Sequence, residues 1–123
     1  MRRSTGNATR TALVGLLGTT PPAGWERAAE LVVVGPGSVA APAGCLGRWV
    51  TAVVSGAVTT TVPPRRYDEG DVFVHEGDTA LVTEDGASLV TVDSRHELAT
   101  ALLTRTPVAR AATLRVTACA SWT

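Results

Sequence analysis

Lysine is missing from this chain: all eleven basic residues are arginine. The codon usage of a GC-rich genome explains that simply, and the chemical consequence holds whatever the cause. Schiff-base chemistry, a Walker-type phosphate loop and lysine-tethered lipoyl or biotinyl groups all need a lysine, and all are excluded. Aromatic residues are scarce, at 4% of 123 residues. Cysteine occurs twice, as Cys45 and Cys119, too few for a zinc framework. Their small and apolar neighbours, in GCLGRW and VTACASW, point to buried reduced thiols; a disulfide between them would close a long loop and add about 4 kcal/mol. Net charge is absent as well, with eleven acidic residues against eleven basic, so nothing global draws the chain to nucleic acid or an anionic membrane. No apolar run reaches membrane-spanning length. Residues 49–62, WVTAVVSGAVTTTV, are too short and too rich in threonine. The apolar run Ala12 to Gly18 carries two glycines and is barely long enough for the core of a cleaved signal.

What is present is β-forming and small. The apolar stock is mostly valine, alanine and leucine, with abundant threonine, and Val and Thr favour extended backbone. The expected fold class is α+β and β-rich: an antiparallel meander or sheet, or a small barrel, with one helix over about 95–105 and a short N-terminal helix. Residues 1–20 form an arm or that short helix, and residues 21–123 form a single β-rich domain. Asn7 to Gly18 suits the short helix, with Asn7 as the cap, Leu13, Leu16 and Leu17 on one face and Gly18 as the stop. Thr20 before Pro21 suits a helix start, with Trp25, Ala28 and Ala29 facing inward. LVVV then reads as a buried strand ended by Gly35-Pro36-Gly37, and GPGSVAAPAG as loop. Arg48 to Val62 reads as one long strand or two, with a bulge or bend at Ser55-Gly56. DVFVHE, TALVTE and ASLVTV read as a meander, with Asp85-Gly86 as a hairpin turn. Ser94 and Glu97 have capping-box spacing, and Leu98, Ala101 and Leu102 share the face of the helix that follows. ATLRVTACASW closes the domain as a strand.

The candidate site is RRYDEGDVFVHEGD, Arg65 to Asp78. Asp68, Glu69, Asp71, Glu76, Asp78, Glu84 and Asp85 concentrate most of the acidic charge in a short span. A calcium loop sets its ligands at fixed offsets around a sharp turn. Here a strand intervenes, and five to seven residues at ~3.3 Å each hold Asp68–Asp71 about 20 Å from Glu76–Asp78. The carboxylates therefore read as solvated turns. His75 and His96 read as surface residues, because neither has the orienting partner and nucleophile that catalysis needs. Gly35, Gly37 and Ala40 match the G-x-G-x-x-A spacing of dinucleotide-binding loops, but Pro42, Gly44 and Gly47 oppose the helix such a loop must open. Pro36 also removes an amide hydrogen from it. No catalytic, cofactor-binding or metal-ligating residue is assigned, and neither a specific nucleic acid, a membrane nor a small-molecule substrate is evident.

The charges are segregated. Arg2, Arg3, Arg10 and Arg27 mark the N-terminal third, carboxylates the middle, and Arg95, Arg105, Arg110 and Arg115 the last third; that pattern suits head-to-tail contact between copies. In length, in Thr/Val/Ala/Gly richness, in a meander with one helix at Arg95–Arg105, and in the irregular start MRRSTGNATRTALVGL, the chain resembles the small β-rich virion proteins of tailed phages. These are head-decoration proteins, head–tail connectors and tail terminators. The resemblance implies a non-enzymatic assembly protein of the virion, homo-oligomeric or bound to other virion proteins, and carries over no functional residue. The rival expectation is a small ligand- or metal-binding domain or enzyme, secreted or cytosolic, that uses the acidic turns and His75.

Overall fold

The computed structural model describes residues 2–4, 6–41, 47–61 and 63–104. Its spine is β4 (Arg48–Thr61). Thr51 pairs with both Phe73 and Thr91, and Thr59 with both Arg66 and Val82. A strand residue has one neighbour on each edge, so β4 is flanked on both sides in each of its two halves. On one edge run β5 (Pro64–Asp68) and β6 (Val72–Glu76); on the other run β7 (Leu81–Val82) and β8 (Ala87–Asp93). Next to these lie β2 (Ala29–Val34) against β8 and β3 (Val39–Ala40) against β7. β1 (Arg2–Ser4) completes the sheet against β2. Every pairing is antiparallel, and β2–β8 and β3–β7 keep one register across the loop between them.

The β-rich α+β class expected from composition is therefore the observed one. Its connectivity is not a meander of successive hairpins, however. β6, β7 and β8 do not pair with one another: β6 sits across β4 from β8, and β7 continues the line of β8. The sheet is four long antiparallel ribbons, each bent once. The bends fall at Gly35–Ser38, Val53–Gly56, Glu69–Asp71 and Thr83–Gly86, where the pairings break or shift. Backbone bonds tie neighbouring bends together: Gly37 N–H donates to Thr83 and Glu84 carbonyls, Gly70 N–H donates to Val53, and Val53 N–H to Asp71. A crease thus crosses the sheet and folds it into two layers. Gly56 and Gly86 supply the left-handed backbone, with φ of 78° and 93°, that a side chain would strain.

Folding over puts both faces of the longest layer under cover, which is why β8 and residues 50–53 of β4 are buried in nearly continuous runs, while the second half of β4 alternates. Val32, Val34, Val53, Val58, Phe73, Leu81, Ala87 and Leu89 pack between the layers. The opposite face carries Val50, Ala52, Val72, Val90 and Val92 against the helices. Helix α1 (Asn7–Leu17) contributes Leu13 and Leu17, and α3 (Glu97–Leu103) contributes Leu98, Ala99, Leu102 and Leu103. Each fully buried Leu or Val adds roughly 1.5–3 kcal/mol of transfer free energy, so a core of small side chains suffices when both faces are used.

The helix ends differ in detail from the sequence reading. Gly6, not Asn7, is the N-cap of α1, while Gly18 stops it at φ 74° with its N–H on the Val14 carbonyl. At α3 the Ser94–Glu97 box does not form. His96 is the cap, and its Nδ1 accepts from the Leu98 N–H at 3.0 Å. Asp93 takes Arg95 instead, by its backbone and guanidinium at 2.9 to 3.1 Å. Trp25 opens the single turn α2 (Trp25–Ala28) and meets the His96 ring edge-on at 5.9 Å. Ala40 opens no helix, as it belongs to β3. Cys45, Cys119, Arg105 and the strand expected in ATLRVTACASW lie outside the described residues.

Candidate functional site

Strand β5 alternates, so Arg65 and Tyr67 share one face and Arg66 and Asp68 the other. The same rule puts Phe73 and His75 together on β6. Because the Glu69–Asp71 bend folds this ribbon over, Tyr67 stacks flat on Phe73, with centroids 3.9 Å apart and planes 11° apart. Phe73 then meets His75 at 5.3 Å. A cavity of about 320 Å³ opens beside this aromatic row, where β5 and β6 close on each other. Tyr67, Phe73 and His75 form its wall; Arg48, Arg65 and Glu76 bring charge; Thr60, Pro63, Val74 and Thr79 complete it. Arg48 reaches Glu76 at 3.6 Å. Thr60 fixes the turn into β5, its hydroxyl donating to the Pro63 carbonyl at 2.6 Å and accepting the Arg65 N–H at 3.1 Å.

His75 is the main correction to the sequence reading. It is 8% exposed rather than a surface residue. Its Nδ1 lies 2.7 Å from the Glu76 carbonyl, which accepts only, so Nδ1 carries a proton. Nε2 lies 2.5 Å from the Thr51 hydroxyl, and Thr51 Oγ1 is 3.1 Å from Thr91 Oγ1. These three groups form a polar chain across β6, β4 and β8 between the two layers. Burial pushes the His75 pKa below its ordinary value, against the smaller opposing pull of the Glu76 carbonyl and carboxylate. The imidazole is therefore neutral in the folded protein near neutral pH.

The stability consequence has a definite sign. Above about pH 6.5 the imidazole is neutral both folded and unfolded. As pH falls through that value, the unfolded chain takes up the proton first, so stability is lost until the lower folded pKa is passed. Urea titrations from pH 7.5 to 4.5 should show this loss, and His75→Gln should flatten it. A slope unchanged in the variant would assign the effect elsewhere. Asp93, whose carboxyl is pulled down chiefly by its hydrogen bond to Arg95, acts in a separate window below the ordinary carboxylate range.

The acidic residues are not one cluster. The Asp71 carboxylate accepts the Asp68 N–H at 2.8 Å and shapes the bend. Asp68 pairs with Arg66 at 2.8 Å. Glu84 and Asp85 come back to this side, near enough to favour the Arg66 charge, while Glu76 ends β6 at its far end and Asp78 lies just beyond it. Among the described residues, no three His, Cys, Asp or Glu side chains are grouped to hold a metal ion. No helix among them is long and apolar enough to cross a membrane. Sequence reasoning missed Arg48 and Thr51, and gave no role to Arg65 and Tyr67 within the stretch it singled out. One usable signal was present: the chain's single Tyr and single Phe stand six residues apart on either side of a glycine bend.

No family model matches the chain, and no curated protein matches it. Solved structures do. The heme domain of CooA from Carboxydothermus hydrogenoformans superposes with a TM-score of 0.55 over 84% of this chain and 79% of that one, at 14% identity. The CO-dependent transcription factor CooA from the same organism, in its imidazole-bound form, gives 0.51 over 85% of this chain and 49% of that one, at 13% identity. The regulatory subunit of a cAMP-independent protein kinase A from Trypanosoma cruzi, bound to guanosine, gives 0.50 over 81% and 44%, at 16% identity. This chain thus spans less than half the length of that subunit. At these identities the likeness is one of fold.

That fold overturns the virion resemblance, and with it the capsid-decoration, connector and terminator roles. The architecture is shared with a heme domain, a CO-dependent transcription factor and a kinase regulatory subunit, none of them a virion protein. Length and Val/Thr/Ala/Gly richness describe any thin-cored β domain, so they could not separate the two. In three dimensions Arg48, Arg66 and Arg95 meet Glu76, Asp68 and Asp93 within the same molecule.

Proposed function

We propose that this domain is a non-catalytic, small-molecule-binding sensory module whose ligand is a small anion carrying a flat ring. The observation that carries this reading is the lining of the cavity between β5 and β6. Two guanidinium groups, Arg48 and Arg65, stand beside the stacked Tyr67 and Phe73. At about 320 Å³ the space lies at the lower end of the range for small-molecule sites. Two arginines against Glu76 leave the lining net positive. Arg65 is exposed and Tyr67 half-buried, so a ligand gains a charge-assisted hydrogen bond from one and ring contact from the other. The likeness to a subunit solved with guanosine supports a ring-bearing ligand.

Heme, which the CooA domain's name gives to that protein, fits this cavity poorly. Its iron needs an axial ligand, and the imidazole in the lining already engages Glu76 and Thr51 through its two nitrogens.

Calorimetry with guanosine 5′-monophosphate, guanosine and ribose 5-phosphate separates the ring from the charge. The monophosphate should bind more tightly than either part. Arg65→Ala should remove its advantage over guanosine, about tenfold for one lost charge-assisted bond, and Tyr67→Leu its advantage over ribose 5-phosphate. No saturable heat from any of the three at millimolar concentration, or affinities indifferent to both substitutions, would refute the reading.

A further inference from the structure

Resting on the reading of the cavity between β5 and β6 as an anion site, we propose that ligand binding there draws a proton from water onto His75 Nε2, so that the domain holds its anion more tightly as pH falls below neutral.

The hydrogen bonds around His75 suit both charge states. Nδ1 keeps its proton on the Glu76 carbonyl in either. In the neutral ring Nε2 offers a lone pair, and the Thr51 hydroxyl, 2.5 Å away, donates to it. Thr91 Oγ1, 3.1 Å from Thr51 Oγ1, then donates to Thr51. A hydroxyl both donates and accepts. When Nε2 gains a proton, the two hydroxyls turn about their C–O bonds and the chain reverses: Nε2–H donates to Thr51, and Thr51 to Thr91. Thr51 and Thr91 are direct cross-strand partners, so the reversal needs no movement of the strands. What the buried imidazolium lacks is a counter-charge.

The charged groups around the ring do not supply one. Glu76 is exposed and lies 3.6 Å from Arg48, and Asp78 is exposed in the turn after β6. Arg48 of β4 and Arg65 and Tyr67 of β5 line the same cavity. Beyond Trp49 in the His75 row, Asp93 of β8 is taken by Arg95. Glu30 of β2 stands opposite Thr91, at the far end of the polar chain. His96 and Glu97 open α3, which packs on the other face of the layer. Near the ring, two guanidinium groups thus outweigh one carboxylate, and desolvation is the chief cause that holds the His75 pKa below its ordinary value. His75 itself lines the cavity, so an anion seated there provides the missing charge. In a partly dry site one opposite charge close by shifts a proton equilibrium by about tenfold or more. Linkage makes the effect mutual: the proton tightens anion binding by the same factor. Affinity is flat above the His75 pKa of the bound state, rises as pH falls through it, and levels off below the lower pKa of the ligand-free domain.

The probe is the methyl ester of guanosine 5′-monophosphate, whose phosphodiester stays singly charged from pH 7.5 to 5.5, with guanosine as the neutral control. Calorimetry should show the ester binding about tenfold more tightly at pH 5.5 than at pH 7.5, and guanosine equally at both. At pH 6 the heat of ester binding should differ between MES and bis-Tris, because the buffer gives up the proton. The chain's two histidines carry opposite neutral tautomers: His75 holds its proton on Nδ1, whereas His96 Nδ1 accepts from Leu98. Ring nitrogen-15 spectra at pH 6 should show His75 Nε2 moving to its protonated position when the ester is added, with His96 unmoved. Thr51→Val removes the reversible partner and should carry the rise in affinity to lower pH; His75→Gln should bind with no pH dependence of its own. Equal ester affinity at the two pH values, heats indifferent to buffer, a His75 signal that ignores the ligand, or a full pH dependence surviving in His75→Gln overturns the proposal; the anion site itself still stands if the ester binds at pH 7.5. No saturable binding at either pH overturns both.

Discussion

Gly56→Ala should remove about 2–5 kcal/mol of stability, a large share of what a domain of this size has. Two costs combine. Gly56 sits at φ 78°, where an L side chain costs roughly 1–2 kcal/mol. A Cβ there would also stand 2.3 Å from the Gly86 carbonyl oxygen and 3.0 Å from the Ala87 Cα. Both are backbone atoms of the neighbouring ribbon and cannot rotate away, so the crease must open, at about 1–3 kcal/mol. Gly70→Ala is the matched control: φ is 91°, but nothing lies within 4 Å of the added atom, so only the conformational cost applies. Thermal melts should place Gly56→Ala well below Gly70→Ala, separated by several degrees or more. Equal melting temperatures would mean that the two layers do not meet at Gly56 as described.

Phe73→Ala should cost about 3–5 kcal/mol, the usual range for truncating a buried aromatic ring. Phe73 is 3% exposed and, among the described residues, is the one ring buried in the cluster between the layers, which is otherwise valine, leucine and alanine with half-buried Tyr67 packed against it. Its loss leaves a void that the stiff β-branched neighbours fill poorly, and takes away the partner on which Tyr67 stacks. Tyr67→Leu, at a half-buried position, should cost far less stability while weakening ligand binding. Urea denaturation of the two variants beside calorimetry with guanosine 5′-monophosphate checks the contrast. Phe73→Ala as stable as Tyr67→Leu would contradict the packing between the layers.

These two sites show where the sequence was legible. The break at Ser55-Gly56 was visible as a glycine inside a valine- and threonine-rich strand, and β4 does shift register between Val53 and Ser55. The first helix was legible from the spacing of Leu13, Leu16 and Leu17 and from Gly18. The separation of Asp68–Asp71 from Glu76–Asp78 followed from the length of an extended strand. His75 was not legible. Between Val74 and Glu76 it looks like the polar half of an alternating edge, and only the fold-over, which covers both faces of β6, buries it.

Local chemistry, then, was set by the sequence alone: which stretches are extended, where glycine permits a bend, and which reactions the absence of lysine and the scarcity of cysteine rule out. Strand partners, the burial of His75 and the meeting of Arg48, Arg65, Tyr67 and Phe73 around one cavity were decided by tertiary structure. The reason is that a bend specifies only that a ribbon can turn. Which ribbons turn together, and onto what, depends on backbone bonds between residues far apart in the chain, such as Gly37 to Thr83, and on the apolar area that closing the two layers removes from water.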